Sequence, residues 1–241
     1  MNEITVYVFS DINTSSEINN LCFTITKRSI LRYNPNIKVI ELNNNFLIKN
    51  NIKLDDINKI HLLLPYLNNY KGYAIFCNCN FLWNVNIEEL IDKYKYEKDE
   101  TNTLIDTDFS ICCNYIDYNI IDYSKIDFKD INNDNRINLN DLYIFNCSNC
   151  TILTIDFILK YDLKFKWYNN NSHYNIDISY NYLPNIYNTI KDSDIKCFNF
   201  INEKPWIKTF ENCLFNEEWY QYLTLSEKHL LIKINDVKIN Y

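Results

Sequence analysis

The amino-acid sequence predicts an α/β protein, one domain over residues 1–241 with a mostly parallel, twisted central sheet flanked by helices. β-rich runs alternate with stretches of helical spacing, the pattern of a parallel sheet covered on both faces. At 47% hydrophobic residues the chain has enough apolar material for one core, and no Gly/Ser/Pro-rich linker or internal repeat divides it.

Residues 4–10 (ITVYVFS) are a short β-rich run, and Asp11-Ile-Asn-Thr-Ser-Ser has cap and turn character. Across 17–33, Leu21, Phe23, Ile25, Ile30 and Leu31 carry helical spacing, and 37–42 (IKVIEL) reads as a second strand. These pieces make a βαβ opening. Residues 54–67 read as helix up to Pro65, 73–79 as a buried third strand and 87–94 as a short helix. The less regular stretch 95–140, rich in Asp and Asn, is expected to hold loops over the sheet. Strand candidates lie at 109–113 and 142–147, a helix at 152–161, and a strand or sheet edge at 165–167.

Gly occurs once, at Gly72, so tight turns must fall to Asn and Asp, which tolerate the left-handed backbone best among the remaining residues. With a net charge of -7 and no Lys/Arg stripe to track a phosphate backbone, nucleic-acid binding is disfavoured. The start MNEITVYVFSDIN fits neither a signal peptide nor a membrane span, which predicts a cytoplasmic location. Nine cysteines, several inside apolar runs, read as buried reduced thiols. Cys147-Ser-Asn-Cys150 is formally C-x-x-C, but neither a second pair nor a nearby histidine completes a zinc site. A chain with one Gly also lacks a nucleophile elbow and a Walker or Rossmann phosphate loop. Glu88-Glu89 read as the exposed first turn of a helix, His173 as a loop histidine, and the four tryptophans chiefly as packing.

In open α/β sheets ligands bind beyond the carboxyl ends of the strands, so the Phe9-Ser10-Asp11 turn and Asn78-Cys79-Asn80 should face one cleft. The residues around them carry a resemblance. Tyr73-Ala-Ile-Phe-Cys-Asn78-Cys-Asn80, followed by Ile87-Glu-Glu-Leu90, resembles the apolar strand, Asp-x-Asp and Ile-x-Glu-Leu helix of GT-A-fold glycosyltransferases of the glycogenin-like and related bacterial and viral groups. Asp11-Ile-Asn13 with Thr26-Lys-Arg-Ser29 resembles their first turn and helix. His61-Leu-Leu-Leu-Pro65-Tyr66-Leu67 resembles their Arg-Phe-x-x-Pro-Tyr-Leu, with His61 at the Arg place. Arg136-Ile-Asn138 with Leu142-Tyr-Ile-Phe-Asn146-Cys147 resembles an acceptor-side run, and Asn169-Asn170 stand where an acidic loop is expected. Tyr180-Asn181-Tyr182-Leu183 is similar to Trp-Asn-Trp-Leu, and Asn199-Phe200 with Lys204-Pro205-Trp206 to a His-Phe and Lys-Pro-Trp segment.

The resemblance implies a nucleotide sugar, most of all a UDP-sugar, as one partner and a glycan or protein acceptor as the other. It implies nucleotide-sugar contacts from Phe9, Ser10, Asp11, His61, Asn78, Cys79, Asn80, Lys204 and Trp206, and an acceptor side at Arg136, Asn138 and Asn146. Catalytic places fall on Asn169, Asn170 and Asn181. In the family, Asp-x-Asp and a histidine hold manganese; here those places are Asn78, Asn80 and Asn199, or Phe198 if the last motif is aligned without a gap. Each missing carboxylate forfeits an attraction on the order of 4 kcal/mol at about 4 Å and intermediate dielectric. Manganese is therefore expected only if Asn78 and Asn80 coordinate weakly, with Lys204, and His61 when protonated, left to meet phosphate charge. Two readings stay open: a transferase working weakly or without metal, and an inactive nucleotide-, glycan- or protein-binding module. The Asn-x-Asn also fits an ordinary strand-end turn.

Overall fold

A computed structural model describes residues 3–10, 15–54, 56–98, 104–106, 111–113, 142–160, 173–184, 194–200, 204–207 and 214–237. The opening unit is β1 (Ile4–Phe9), α1 (Ser16–Tyr33) and β2 (Lys38–Leu42). Ser15 caps α1 by accepting the Ile18 amide at 3.4 Å. The buried positions of the helix are Ile18, Leu21, Cys22, Ile25, Thr26, Ser29 and Ile30, a stripe of 3–4 residue spacing. Within that stripe Thr26 and Ser29 are polar, which matters below.

After β2 come α2 (Asn44–Lys49), capped by Asn43, a 3-10 helix over Ile57–Leu63, and α3 (Leu64–Leu67). Pro65 therefore lies in the first turn of α3 rather than ending a helix; its missing N–H has no intrahelical acceptor there. Next follow β3 (Tyr73–Asn78), β4 (Phe81–Trp83), α4 (Ile87–Lys95), β5 (Tyr96–Lys98), β6 (Leu104–Asp106) and β7 (Ile111–Cys113). The described remainder holds β8 (Leu142–Asn146), α5 (Ile155–Lys160), β9 (His173–Asn175), β10 (Cys197–Asn199), α6 (Asn216–Tyr220) and α7 (Leu225–Val237). Residues 165–167 lie outside the described residues.

Left-handed backbone occurs at Asn51 and Asn69, as the scarcity of Gly predicts, but also at Tyr70 and Phe215. Gly72 cannot be spared: at φ +62, a Cβ would lie 2.1 Å from the Glu3 carbonyl oxygen.

The main sheet has the order β2-β1-β3-β8-β7-β9. All neighbours run parallel except β8, which is antiparallel to both β3 and β7. One apolar layer packs α1 and α4 against Val6, Val8, Ile75 and Cys77; the opposite layer packs the 57–67 segment and α5 against Tyr7, Ala74, Phe76 and Tyr143. The connection out of β1 thus runs over one face and the connection into β3 over the other. Ligand crevices of open α/β sheets form where two such crossovers part, which in this sheet is at the carboxyl ends of β1 and β3.

Candidate functional site

The register of β1 and β3 sets Phe9 beside Asn78, and the Cys79 amide donates to the Phe9 carbonyl at 2.9 Å. The first-strand turn and the Asn-x-Asn therefore meet at one strand end. The turn is held from beneath by α1. The Thr26 hydroxyl, fully buried, lies 2.9 Å from the Cys79 carbonyl and 2.8 Å from the Phe81 carbonyl, sharing its proton between them. One helical turn on, Ser29 accepts the Trp83 amide at 3.0 Å. Asn34 then accepts the Ile87 amide at 2.7 Å and donates to the Val85 carbonyl at 3.1 Å, so a polar stripe on α1 pins residues 79–87.

Asn80, Asn199 and Asn181, far apart in sequence, form a buried relay. Asn80 Nδ2 donates to Asn199 Oδ1 at 3.4 Å, and Asn199 Nδ2 donates to Asn181 Oδ1 at 2.9 Å. Their exposures are 4%, 1% and 1%. β10 is brought there by antiparallel pairing with β4, and the Phe200 amide donates to the Asn80 carbonyl at 3.1 Å. Asn80 Oδ1, at the open end of the relay, is buried without a partner.

These residues do not fit manganese. The position aligned with a histidine is an amide whose oxygen and nitrogen both serve neighbouring amides. No group of three or more His, Cys, Asp or Glu able to hold a metal occurs among the described residues.

Beneath the turn the Cys22 thiol of α1 lies against the Cys79 thiol, with the Lys204 charge a smaller influence on it. Burial still pushes the Cys22 thiol well above its usual range.

Other expected residues sit differently. Cys79 is fully buried with its thiol toward Cys22, its amide donating to the Phe9 carbonyl and its carbonyl accepting the Thr26 hydroxyl, so it holds the turn rather than facing the cleft. Ser10 is 2% exposed and donates its hydroxyl to Glu41 Oε1 at 2.6 Å, serving that carboxylate directly. Phe9 is half-buried and stacks on Phe76 at 6.2 Å. His61 stacks on Tyr143 at 4.2 Å, and desolvation pulls its imidazolium down to about 4; it is neutral at physiological pH and not the cation expected. Trp206 is fully buried 5.5 Å from Trp219 and has no surface to offer a nucleotide.

Asn146 is a further correction. Because β8 runs against β3, Asn146 pairs with Tyr73, at the end of the sheet opposite Asn78. It accepts the Ser148 hydroxyl at 2.8 Å there, so it cannot line the acceptor side of this cleft. Asp11, Arg136, Asn138, Asn169 and Asn170 lie outside the described residues.

Cys22, Cys77, Cys79, Cys147, Cys150 and Cys197 are all buried and free. Burial raises Cys147 to about 12, so the C-x-x-C thiols stay protonated. No helix among the described residues is long and apolar enough to cross a membrane.

No protein-family model matches the sequence. The chain is similar to Protein CDI of Arabidopsis thaliana, 25% identical over 167 residues, which are 65% of this chain and 60% of that protein. It thus spans about three fifths of that relative. Among solved structures, the bifunctional glycosyltransferase WbbM aligns with TM-score 0.56 and 12% identity, over 91% of this chain and 49% of that one. The galactosyltransferase LgtC, solved with donor and acceptor sugar analogs, aligns with TM-score 0.52 and 8% identity, over 91% and 94%. GlyE of Streptococcus pneumoniae aligns with TM-score 0.55 and 12% identity, over 99% and 64%. With the parallel sheet, the β1/β3 crevice and the strand-end turn, these likenesses establish that the chain has the GT-A-like glycosyltransferase fold.

Proposed function

We propose that the crevice at the ends of β1 and β3 binds a nucleotide sugar, a UDP-sugar foremost, and that the protein transfers the glycosyl group to a glycan or protein acceptor without a metal ion. The observation supporting this reading is the meeting of the first-strand turn and the Asn-x-Asn turn, where the Cys79 amide donates to the Phe9 carbonyl. Transfer breaks the bond between the anomeric carbon and the diphosphate oxygen, and negative charge grows on the departing phosphate. Lys204 is the group that meets this charge, as an ammonium donor in a partly desolvated site. The neutral relay of Asn181, Asn199 and Asn80 keeps the wall of the cleft rigid and leaves one acceptor, Asn80 Oδ1, for a hydroxyl of the bound molecule.

The same relay favours a second reading. Amides that satisfy one another, where relatives of this fold place metal ligands, suit a module that binds nucleotide or glycan without turnover. The two readings separate in one experiment. Purified protein is incubated with a panel of UDP- and GDP-sugars, with and without manganese, and titrated calorimetrically with UDP. Transfer or hydrolysis without metal supports the transferase; UDP binding without turnover supports the module; neither binding nor turnover overturns both.

A further inference from the structure

The turn that carries Lys204 is held by the last two helices of the chain. Lys204, half-buried, opens a turn that closes at Ile207, whose amide donates to the Lys204 carbonyl at 2.9 Å; Pro205 takes the second position, which its fixed φ suits. The next two carbonyls find donors far along the sequence. The Tyr220 hydroxyl, at the end of α6, donates to the Pro205 carbonyl at 2.7 Å, and the Asn235 side-chain amide, in α7, donates to the Trp206 carbonyl at 3.2 Å. Three successive carbonyls of the turn therefore have a donor, two of them from the C-terminal helices. Trp206, fully buried, packs its ring against Trp219 of α6 at 5.5 Å.

Those helices are themselves fixed at two other places. Arg28 of α1 donates to both oxygens of Glu227, at 2.7 and 3.0 Å, and to the Tyr222 carbonyl at 2.8 Å. Arg28 lies between Thr26 and Ser29, the α1 residues that pin the Asn-x-Asn turn and the strand after it. Just ahead of α6, Phe215 takes a left-handed backbone, φ 64, which is unfavourable for a bulky side chain. There its ring lies 4.7 Å from Phe198 and 5.9 Å from Tyr182, the chain neighbours of Asn199 and Asn181. Residues 214–237 thus tie the 204–207 turn to α1 and to β10, both of which hold the Asn-x-Asn turn. Lysine is a point charge on a flexible stem, so how tightly it meets an anion depends on how firmly its backbone is placed beforehand.

We propose that Tyr220 and Asn235 are positioning residues: by holding the backbone of 204–207 they set where the Lys204 ammonium stands, and so how tightly the protein binds a nucleoside diphosphate. This deepens the nucleotide-sugar reading above and rests on it. The test takes the wild type, Tyr220→Phe and Asn235→Ala, each alone and combined with Lys204→Ala. Calorimetry gives the dissociation constant of UDP, and hydrogen exchange followed by NMR gives the protection of the Ile207 amide, which needs no ligand. Tyr220→Phe keeps the ring and removes only the hydroxyl, Asn235→Ala probes the second contact independently, and thermal midpoints check that each variant is folded.

Each single variant should weaken UDP binding about fivefold, the worth of one hydrogen bond, and lower Ile207 protection by a similar factor. With Lys204→Ala in place the same substitutions should leave UDP affinity unchanged, because the group they position is gone. An equal loss with and without Lys204 would mean that the helices support the fold in general, which overturns the assignment. So does unaltered Ile207 protection in both single variants. If the folded wild type binds no UDP, it is the nucleotide reading that falls, and the positioning role with it, whatever the exchange of Ile207.

Discussion

Restoring the ligands that the fold's relatives would be expected to carry makes the sharpest test of how the amide relay is built. Asn80 is 4% exposed and its Nδ2 points at Asn199 Oδ1 from 3.4 Å. In the triple variant Asn78→Asp, Asn80→Asp, Asn199→His, a carboxylate enters this pocket with no cation among the described side chains of the relay. A buried charge left unpaired costs about 3–5 kcal/mol. Manganese at a hundredfold excess over its dissociation constant would return about 2.7 kcal/mol. For a chain of this size that is a rise of about 5–10 °C in the thermal midpoint. The assay is thermal unfolding followed by circular dichroism in EDTA, in magnesium and in manganese. The wild type should not respond to manganese, whereas the variant should melt low in EDTA and recover in manganese. Equal response of the two proteins would refute the claim that the relay displaced a metal geometry. A variant that manganese fails to rescue would show that positions 78, 80 and 199 do not converge on one ion.

Two further outcomes follow from the packing around the site. Thr26→Val should destabilise the chain by about 1–3 kcal/mol, because the Cys79 and Phe81 carbonyls lose their shared buried donor, and Thr26→Ser should restore most of it; urea unfolding reads both. His61 supplies a pH dependence: its folded value of about 4 lies below the unfolded 6.5, so the unfolded chain takes up the proton first. Stability should be full above pH 6.5 and fall by up to about 3 kcal/mol as pH drops toward 4. His61→Gln, compared across the same pH series, should lack that slope.

The opening βαβ unit was legible because periodicity and burial agree in it: α1 buries one stripe, and both β1 and β3 are apolar through their centres. Given parallel strands, the meeting of the Phe9 turn with Asn78 also follows, since both lie at carboxyl ends. Direction is what pattern alone does not carry. The 142–146 strand was correctly located, yet nothing in LYIFN says that it runs antiparallel, and that single reversal moves Asn146 to the opposite end of the sheet. Trp206 raised the same problem at side-chain scale, for a large aromatic beside a lysine suits a ligand platform until its contact with Trp219 is known.

The relay and the Glu41 contact were illegible for a different reason. Asn80 and Asn199 are 119 residues apart, and whether two asparagines face one another or solvent depends on the pairing of β4 with β10, a match of three residues on each side. Glu41 hid inside a strand whose alternation made an acidic residue look like an ordinary solvent-facing position. What distinguishes it is the buried hydroxyl of Ser10, 31 residues away and just past the end of the neighbouring strand. In this chain the polar chemistry of the cleft is thus written in tertiary pairs of neutral or singly charged groups rather than in a local motif. The ends of β1 and β3 keep their arrangement independently of the asparagine relay, because the apolar strands and the polar stripe of α1 hold them in place.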